Sequence, residues 1–227
     1  MIFKQVFDKK SSTYTYLIAS SIGREALIID PVLENVEDYI KLLNELDLRL
    51  VKVIDTHIHA DHITGASKLK DKTKCVTIMG DHSPADAVEV KVKDEGIIKL
   101  DELKISALYT PGHTSDSFSF LMDNYLFSGD TLLINGTGRT DFQNGNAKDA
   151  YNSIFNRILK LPDETLLYPA HDYKGELVST IGKEKKFNPR LQVNSVDEYV
   201  EIMNNLDLKK PIAIDFNVAS NLKLGAI

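Results

Sequence analysis

The chain has 227 residues, 43% of them hydrophobic and 26% charged, enough to bury a real core in one domain and free of the linkers, repeats and low-complexity runs of a disordered protein. Its 33 acidic and 27 basic side chains leave a formal charge of -6, which argues against a surface that tracks nucleic-acid phosphates. A single cysteine, Cys75, excludes an intrachain disulfide framework, no run approaches the roughly 18 apolar residues of a membrane span, and residues 1–7 lack the features of a signal peptide, so a cytoplasmic location is expected.

Residues 1–7 read as an opening strand, followed by strand-like runs at 14–18 and 26–29, the latter stopped by the Asp30-Pro31 turn signal. Val36, Ile40, Leu43 and Leu46 then recur at helical spacing behind a Glu34/Asn35 start. Residues 50–54 read as a buried strand that runs directly into Thr56-His57-Ile58-His59-Ala60-Asp61-His62. Half of the chain's 6 histidines fall in this segment, and a carboxylate falls among them. Neutral imidazole suits zinc and iron, and a carboxylate adds harder oxygen donation, so the pattern predicts a metal site. In an extended segment His57 and His59 share one side, while Asp61 and His62 sit where a helix carrying Ile63, Ala66 and Leu69 on one face is expected to open. A polar loop whose histidines only hydrogen-bond is the plainer alternative, and the clustering weighs against it.

Cys75 lies in a predicted strand over 75–78, where a buried small hydrophobe is a better reading than a nucleophile. A polar 81–86 segment and short strands at 97–100 and 105–109 lead to Thr110-Pro111-Gly112-His113-Thr114, whose Pro-Gly turn presents His113 from a loop. Residues 118–122 and 125–127 form a predicted hairpin ending at Ser128-Gly129-Asp130. A helix over about 147–159 precedes a strand at 165–168 that ends at Pro169-Ala170-His171. The Lys183-Glu184-Lys185-Lys186 run reads as a solvated helical face that could also help hold an anion, and a last helix over 196–206 packs Val196, Tyr199, Val200 and Met203. Four predicted strand ends thus each deliver a potential ligand: His57 with its cluster, His113, Asp130 and His171.

This order of motifs resembles the metallo-β-lactamase superfamily, which implies a mixed α/β (α+β) fold, a four-layer αββα sandwich with the metal site at one edge of two facing sheets. A narrower resemblance covers most of the chain: Gly138-Arg139-Thr140-Asp141-Phe142-Gln143, Tyr168-Pro169-Ala170-His171-Asp172-Tyr173, Asn188-Pro189-Arg190-Leu191, Ile202-Met203-Asn204-Asn205-Leu206 and Ile214-Asp215-Phe216 are similar to persulfide dioxygenases, which are related to glyoxalase II. It implies one domain over 1–227 with a short C-terminal extension, about 175–227. It also implies one Fe(II) per chain, held by His57, His113 and Asp130, with open positions for a substrate sulfur and dioxygen. His59, Asp61, His62 and His171 match the superfamily's remaining ligands, yet the resemblance implies that here they hydrogen-bond around the iron. Asp55 and Asp172 are expected to orient imidazoles.

The activity implied is oxidation of glutathione persulfide by O2 to sulfite and glutathione, by an enzyme with no nucleic-acid or membrane partner and a homodimer as the family-like assembly. Arg139 and Arg190 are expected to anchor the glutathione carboxylates, with Tyr173 and Asn221 as hydrogen-bonders. Arg139 could instead pair with Asp141, and Tyr173 could simply pack. The first alternative is a glyoxalase II-like hydroxyacylglutathione thioester hydrolase with two Zn, against which the short stretch after His171 is expected to weigh. A noncatalytic metal-binding module is a further alternative.

Overall fold

Alternation along β2 (Thr13–Ala19) sets the layering: Tyr16 and Ile18 point to one buried face, Leu17 and Ala19 to the other. The computed structural model, which describes residues 1–210 and 213–226, places this strand in a six-stranded sheet. Its order is β1 (Ile2–Asp8), β2, β3 (Glu25–Ile29), β4 (Arg49–Ile54), β5 (Val76–Gly80) and β6 (Val90–Val92). The first three strands are antiparallel, and β3 to β6 run parallel, with α1 (Val36–Glu45) and α2 (Ala66–Thr73) as the crossovers on either side of β4.

The second six-stranded sheet is built from β7 (Ile97–Leu100), β8 (Leu103–Tyr109), β9 (Phe118–Met122) and β10 (Tyr125–Gly129) as antiparallel neighbours. After a short hairpin of β11 (Leu132–Leu133) and β12 (Gly136–Thr137), β13 (Leu166–Pro169) pairs parallel to β10, and β14 (Ser179–Thr180) closes the far edge. Between the sheets Tyr16, Ile18, Leu27 and Ile54 meet Phe118, Phe120 and Phe127, the Tyr16 and Phe127 rings 5.0 Å apart. Val36, Tyr39 and Leu69 of α1 and α2 cover the outer face of the first sheet at Leu17, Ile28 and Val53. On the other side Ile154, Ile181 and Tyr199, from α3 (Ala147–Asn156), α4 (Ile181–Phe187) and α5 (Val196–Asn204), cover Leu126 and Leu167. The layers therefore run helix, sheet, sheet, helix, the expected αββα sandwich.

Three local expectations are corrected. The helix expected near Asp61 starts only at Ala66, because the peptides before it hydrogen-bond elsewhere: Asn217 Nδ2 donates to Ala60 O, and Asn221 Nδ2 donates to His59 O and His62 O. Both asparagines belong to α6 (Ile214–Asn221), a helix beyond the one read as last, which itself ends at Asn204. Cys75 is buried just before β5, and burial pushes its thiol up, as suits a small hydrophobe. Among the described residues no helix is long and apolar enough to cross a membrane.

Candidate metal centre

Five strand ends meet at one edge of the sandwich. β4 delivers His57, β8 delivers His113, β10 delivers Asp130 and β13 delivers His171, as the motif order predicts, while β3 adds Asp30. At the end of β10 the pairing with β13 shifts register, and Gly129 takes φ +54 with its Cα against Thr56, where a Cβ would lie 2.8 Å from the Thr56 hydroxyl oxygen. That turn carries Asp130 into the site. Donor atoms of His57, His113 and Asp130 lie within 4.8 Å of one another, and so do those of His59, Asp61 and His62.

Every imidazole at the site has one nitrogen tied down and the other turned inward. Thr56 Oγ1 donates to Asp30 Oδ2 at 3.0 Å and so accepts from His57 Nδ1 at 2.9 Å. His59 Nε2 donates to Asp30 Oδ1 at 3.1 Å, His62 Nδ1 to Asp61 Oδ2 at 2.8 Å, His113 Nδ1 to Arg139 O at 2.7 Å and His171 Nδ1 to Ser12 O at 3.0 Å. Left over, buried and without hydrogen-bond partners among the described residues, are His57 Nε2, His59 Nδ1, His62 Nε2 and Asp130 Oδ1. Buried polar atoms are rarely orphaned unless something binds them, so the donor set fits a metal ion.

The two halves of the site differ in charge. Burial pushes His57 and His59 well below the ordinary imidazole range, with help from neighbouring imidazoles, so both are neutral donors. On the other side burial opposes charging of His62 and His171, but nearby carboxylates prevail: Asp61 raises His62, and Asp130 with Asp61 holds His171 well above its usual range. Asp61 itself, despite burial, is held well below the carboxylate range by His171 and His62. Its Oδ2 also accepts from Thr13 Oγ1 at 3.1 Å and lies 3.4 Å from His171 Nε2.

Sequence reasoning missed Asp30, read only as part of a turn signal. It is the carboxylate that orients His59, and Asp55, expected in that role, is 3.8 Å from His59 Nε2 and instead accepts from Thr64 Oγ1 at 2.8 Å. Burial raises Asp55 to about 7, with Asp30 adding to the shift. Asp172 does not orient an imidazole either: its Oδ2 accepts from the backbone N–H groups of Lys174, Gly175 and Glu176 and shapes that turn. Gln143, the last residue of the Gly138–Gln143 motif, donates from Nε2 to Ile58 O at 2.6 Å and braces the histidine loop.

A cavity of about 590 Å³ opens over His113, Asp130 and His171, with Tyr173, Arg190 and Phe142 in its wall. Tyr173 is 73% exposed and stacks at 6.1 Å on His171. Arg190 is half-buried, and its side chain donates to Thr137 O and Thr137 Oγ1. Asn221 is corrected: its amide is 2% exposed and spent on the histidine loop, accepting from Thr64 N at 2.9 Å and donating to His59 O and His62 O, so it offers a substrate nothing. For Arg139 the alternative pairing forms, with Nε and Nη2 each 2.7 Å from the Asp141 carboxylate. The Lys183–Lys186 run lies away from the cavity on α4, where Lys183 pairs with Glu176 and Lys185 with Asp163.

Gly138 permits the closest approach in the site. A Cβ there would sit 2.1 Å from Asp130 O and 2.9 Å from His113 Nδ1. Gly138→Ala should therefore push His113 and Asp130 apart and cost on the order of tenfold or more in metal affinity, measured as metal retained per chain after dialysis.

The metallo-beta-lactamase superfamily model matches residues 9–171. The human protein called persulfide dioxygenase ETHE1, mitochondrial (Homo sapiens) is 42% identical over 228 residues, covering 99% of this chain and 89% of that protein. A hydroxyacylglutathione hydrolase from Dictyostelium discoideum is 32% identical over 217 residues, covering 88% of this chain and 78% of its own. The crystal structure of ETHE1 from Myxococcus xanthus superposes with a TM-score of 0.97 at 46% identity, covering 100% of both chains.

Proposed function

The chain belongs to the metallo-beta-lactamase superfamily and, within it, to the persulfide dioxygenase family, and we propose that it oxidises glutathione persulfide with O2 at a mononuclear non-haem Fe(II) held by His57, His113 and Asp130. The observation that carries the ligand assignment is the convergence of His57 Nε2 and Asp130 Oδ1, buried and unpartnered among the described residues, on the side where His113 presents Nε2. Two imidazoles and one carboxylate are the donor set of non-haem iron oxygenases, and iron held there would supply the redox chemistry that the protein side chains lack. One persulfide, one O2 and one water balance to glutathione, sulfite and two protons.

The protein's own share is positioning. Thr56 and the Arg139 carbonyl lock the His57 and His113 tautomers, and Phe142 and Ile134 give the cavity an apolar wall that limits water. Arg190, a half-buried cation with a free face toward the cavity, receives a glutathione carboxylate, and the Tyr173 hydroxyl hydrogen-bonds the tripeptide. Arg190→Ala should raise KM for glutathione persulfide on the order of tenfold or more with kcat little changed, read from steady-state oxygen uptake.

By likeness to the persulfide dioxygenases, His59, Asp61, His62 and His171 are assigned to hydrogen bonding around the iron; Asp61 is already engaged by His62, Thr13 and His171. His171→Ala should accordingly keep about one iron per chain by elemental analysis, as expected for a group outside the ligand set. A second reading, the dinuclear thioester hydrolase, is favoured by the unpartnered His59 Nδ1 and His62 Nε2; loss of a second metal equivalent in His171→Ala would select it.

The single domain over 1–227 with its extension from about 175, a homodimeric assembly and a cytoplasmic location complete the proposal; the lone buried Cys75 accords with that location. Oxygen uptake by Fe(II)-reconstituted protein on adding glutathione persulfide, with sulfite as product and iron-free protein as control, tests it. Verified iron loading without uptake rejects the substrate.

A further inference from the structure

Arg139 has a backbone and a side chain that do different things. Its carbonyl fixes His113, while its guanidinium turns the other way and reaches the segment between α5 and α6. Nη1 donates to Lys209 O at 2.7 Å, Nη2 donates to Leu208 O at 3.3 Å, and the Nε and Nη2 edge takes the Asp141 carboxylate bidentately. The plane lies over the Phe142 ring, 4.5 Å from its centroid, with Lys210 6.0 Å from the same ring. Four of the five N–H donors are thereby spent inside the protein. The two residues they hold, Leu208 and Lys209, line the substrate cavity.

Resting on the persulfide dioxygenase reading, we propose that Arg139 and Asp141 form a clasp that fixes residues 208–209 as the outer wall of the cavity, so that the pair sets affinity for the glutathione moiety by positioning that wall and not by touching the substrate. Asp141 is the strut. It holds the guanidinium plane so that Nη1 and the second Nη2 hydrogen point at two successive carbonyls, a geometry that a planar fork can satisfy and an ammonium cannot. Arg139 also lies beside an iron-ligating histidine, which places the wall at a fixed distance from the reacting sulfur.

The test compares Arg139→Ala, Asp141→Asn, the double variant and Arg139→Lys as Fe(II)-loaded full-length protein. The clasp predicts that KM for glutathione persulfide rises on the order of tenfold in both single variants, that the double variant is no worse, and that kcat and iron per chain are retained. Arg139→Lys should behave like Arg139→Ala. Trypsin should cleave after Lys209 faster in every variant than in the wild type, because the wall segment opens more often. A direct substrate contact predicts the opposite for Asp141→Asn: KM would stay level or fall as the guanidinium is released, and that result overturns the clasp, as does unchanged cleavage after Lys209. Asp141 is 57% exposed on its side chain, so its substitution does not threaten folding. The cleavage arm needs no turnover, which separates failure of the clasp from failure of the persulfide reading, the latter appearing as no oxygen uptake by the wild type.

Discussion

Asp130→Ala protein, reconstituted with Fe(II) and desalted, should retain no stoichiometric iron and show oxygen uptake with glutathione persulfide at the level of the iron-free control. Asp130 is the one carboxylate in the His57, His113 and Asp130 trio, and its Oδ1 is buried without a hydrogen-bond partner among the described residues. Removing it leaves two imidazoles, which hold Fe(II) poorly without a charged oxygen donor; loss of a ligand exceeds the roughly 10- to 100-fold typical of losing an outer hydrogen bond. The fold should survive. Asp130 Oδ2 lies 3.5 Å from His113 Nε2 and 3.6 Å from His171 Nε2, ion-pair distances longer than the backbone hydrogen bonds that hold the strand ends together. Elemental analysis, oxygen uptake and a thermal melt on one preparation therefore check the assignment, and an active, iron-loaded Asp130→Ala protein would reject it.

Much of this site was legible because its signals are local. His57, His113, Asp130 and His171 each follow a strand whose apolar run announces its own end, so the strand ends could be placed without knowing how they meet. The layering was legible only through resemblance, since β2 is buried on both faces and carries no polar alternation to reveal which side is core. What could not be read depends on contacts between distant segments. Asn221 looked like a polar tail residue available to a substrate, and only the return of α6 onto the histidine loop shows its amide consumed there. The same return cancels the helix expected at Asp61, because carbonyls bonded to asparagine side chains are unavailable to a helical ladder. Arg139 is the converse case: its partner is two residues away and was weighed, but the carbonyls of Leu208 and Lys209 that complete its bonding are about seventy residues distant.

Asp30→Ala should be the most destabilising single change at the site, although Asp30 stands outside the His57, His113 and Asp130 trio. Its carboxylate is 1% exposed and accepts from Thr56 N at 2.7 Å, Thr56 Oγ1 at 3.0 Å and His59 Nε2 at 3.1 Å. Alanine leaves these donors buried without an acceptor, at about 1–3 kcal/mol for each group stranded, so a net loss of about 3–5 kcal/mol is expected. The backbone adds to it: Asp30 has φ 51, a left-handed conformation that aspartate and asparagine tolerate better than alanine. For a chain of this size the melting temperature should fall by roughly 10 °C. Asp30→Asn, by contrast, keeps one carbonyl acceptor and the backbone preference, and it removes a buried charge whose pKa burial already raises against the pull of the Thr56 hydrogen bonds. This variant should thus recover at least half of the lost stability while still weakening iron binding, because Thr56 Oγ1 then no longer has a carboxylate to fix it as an acceptor for His57 Nδ1. Equal melting temperatures for Asp30→Ala and wild type would show that this buried carboxylate does not organise the histidine loop.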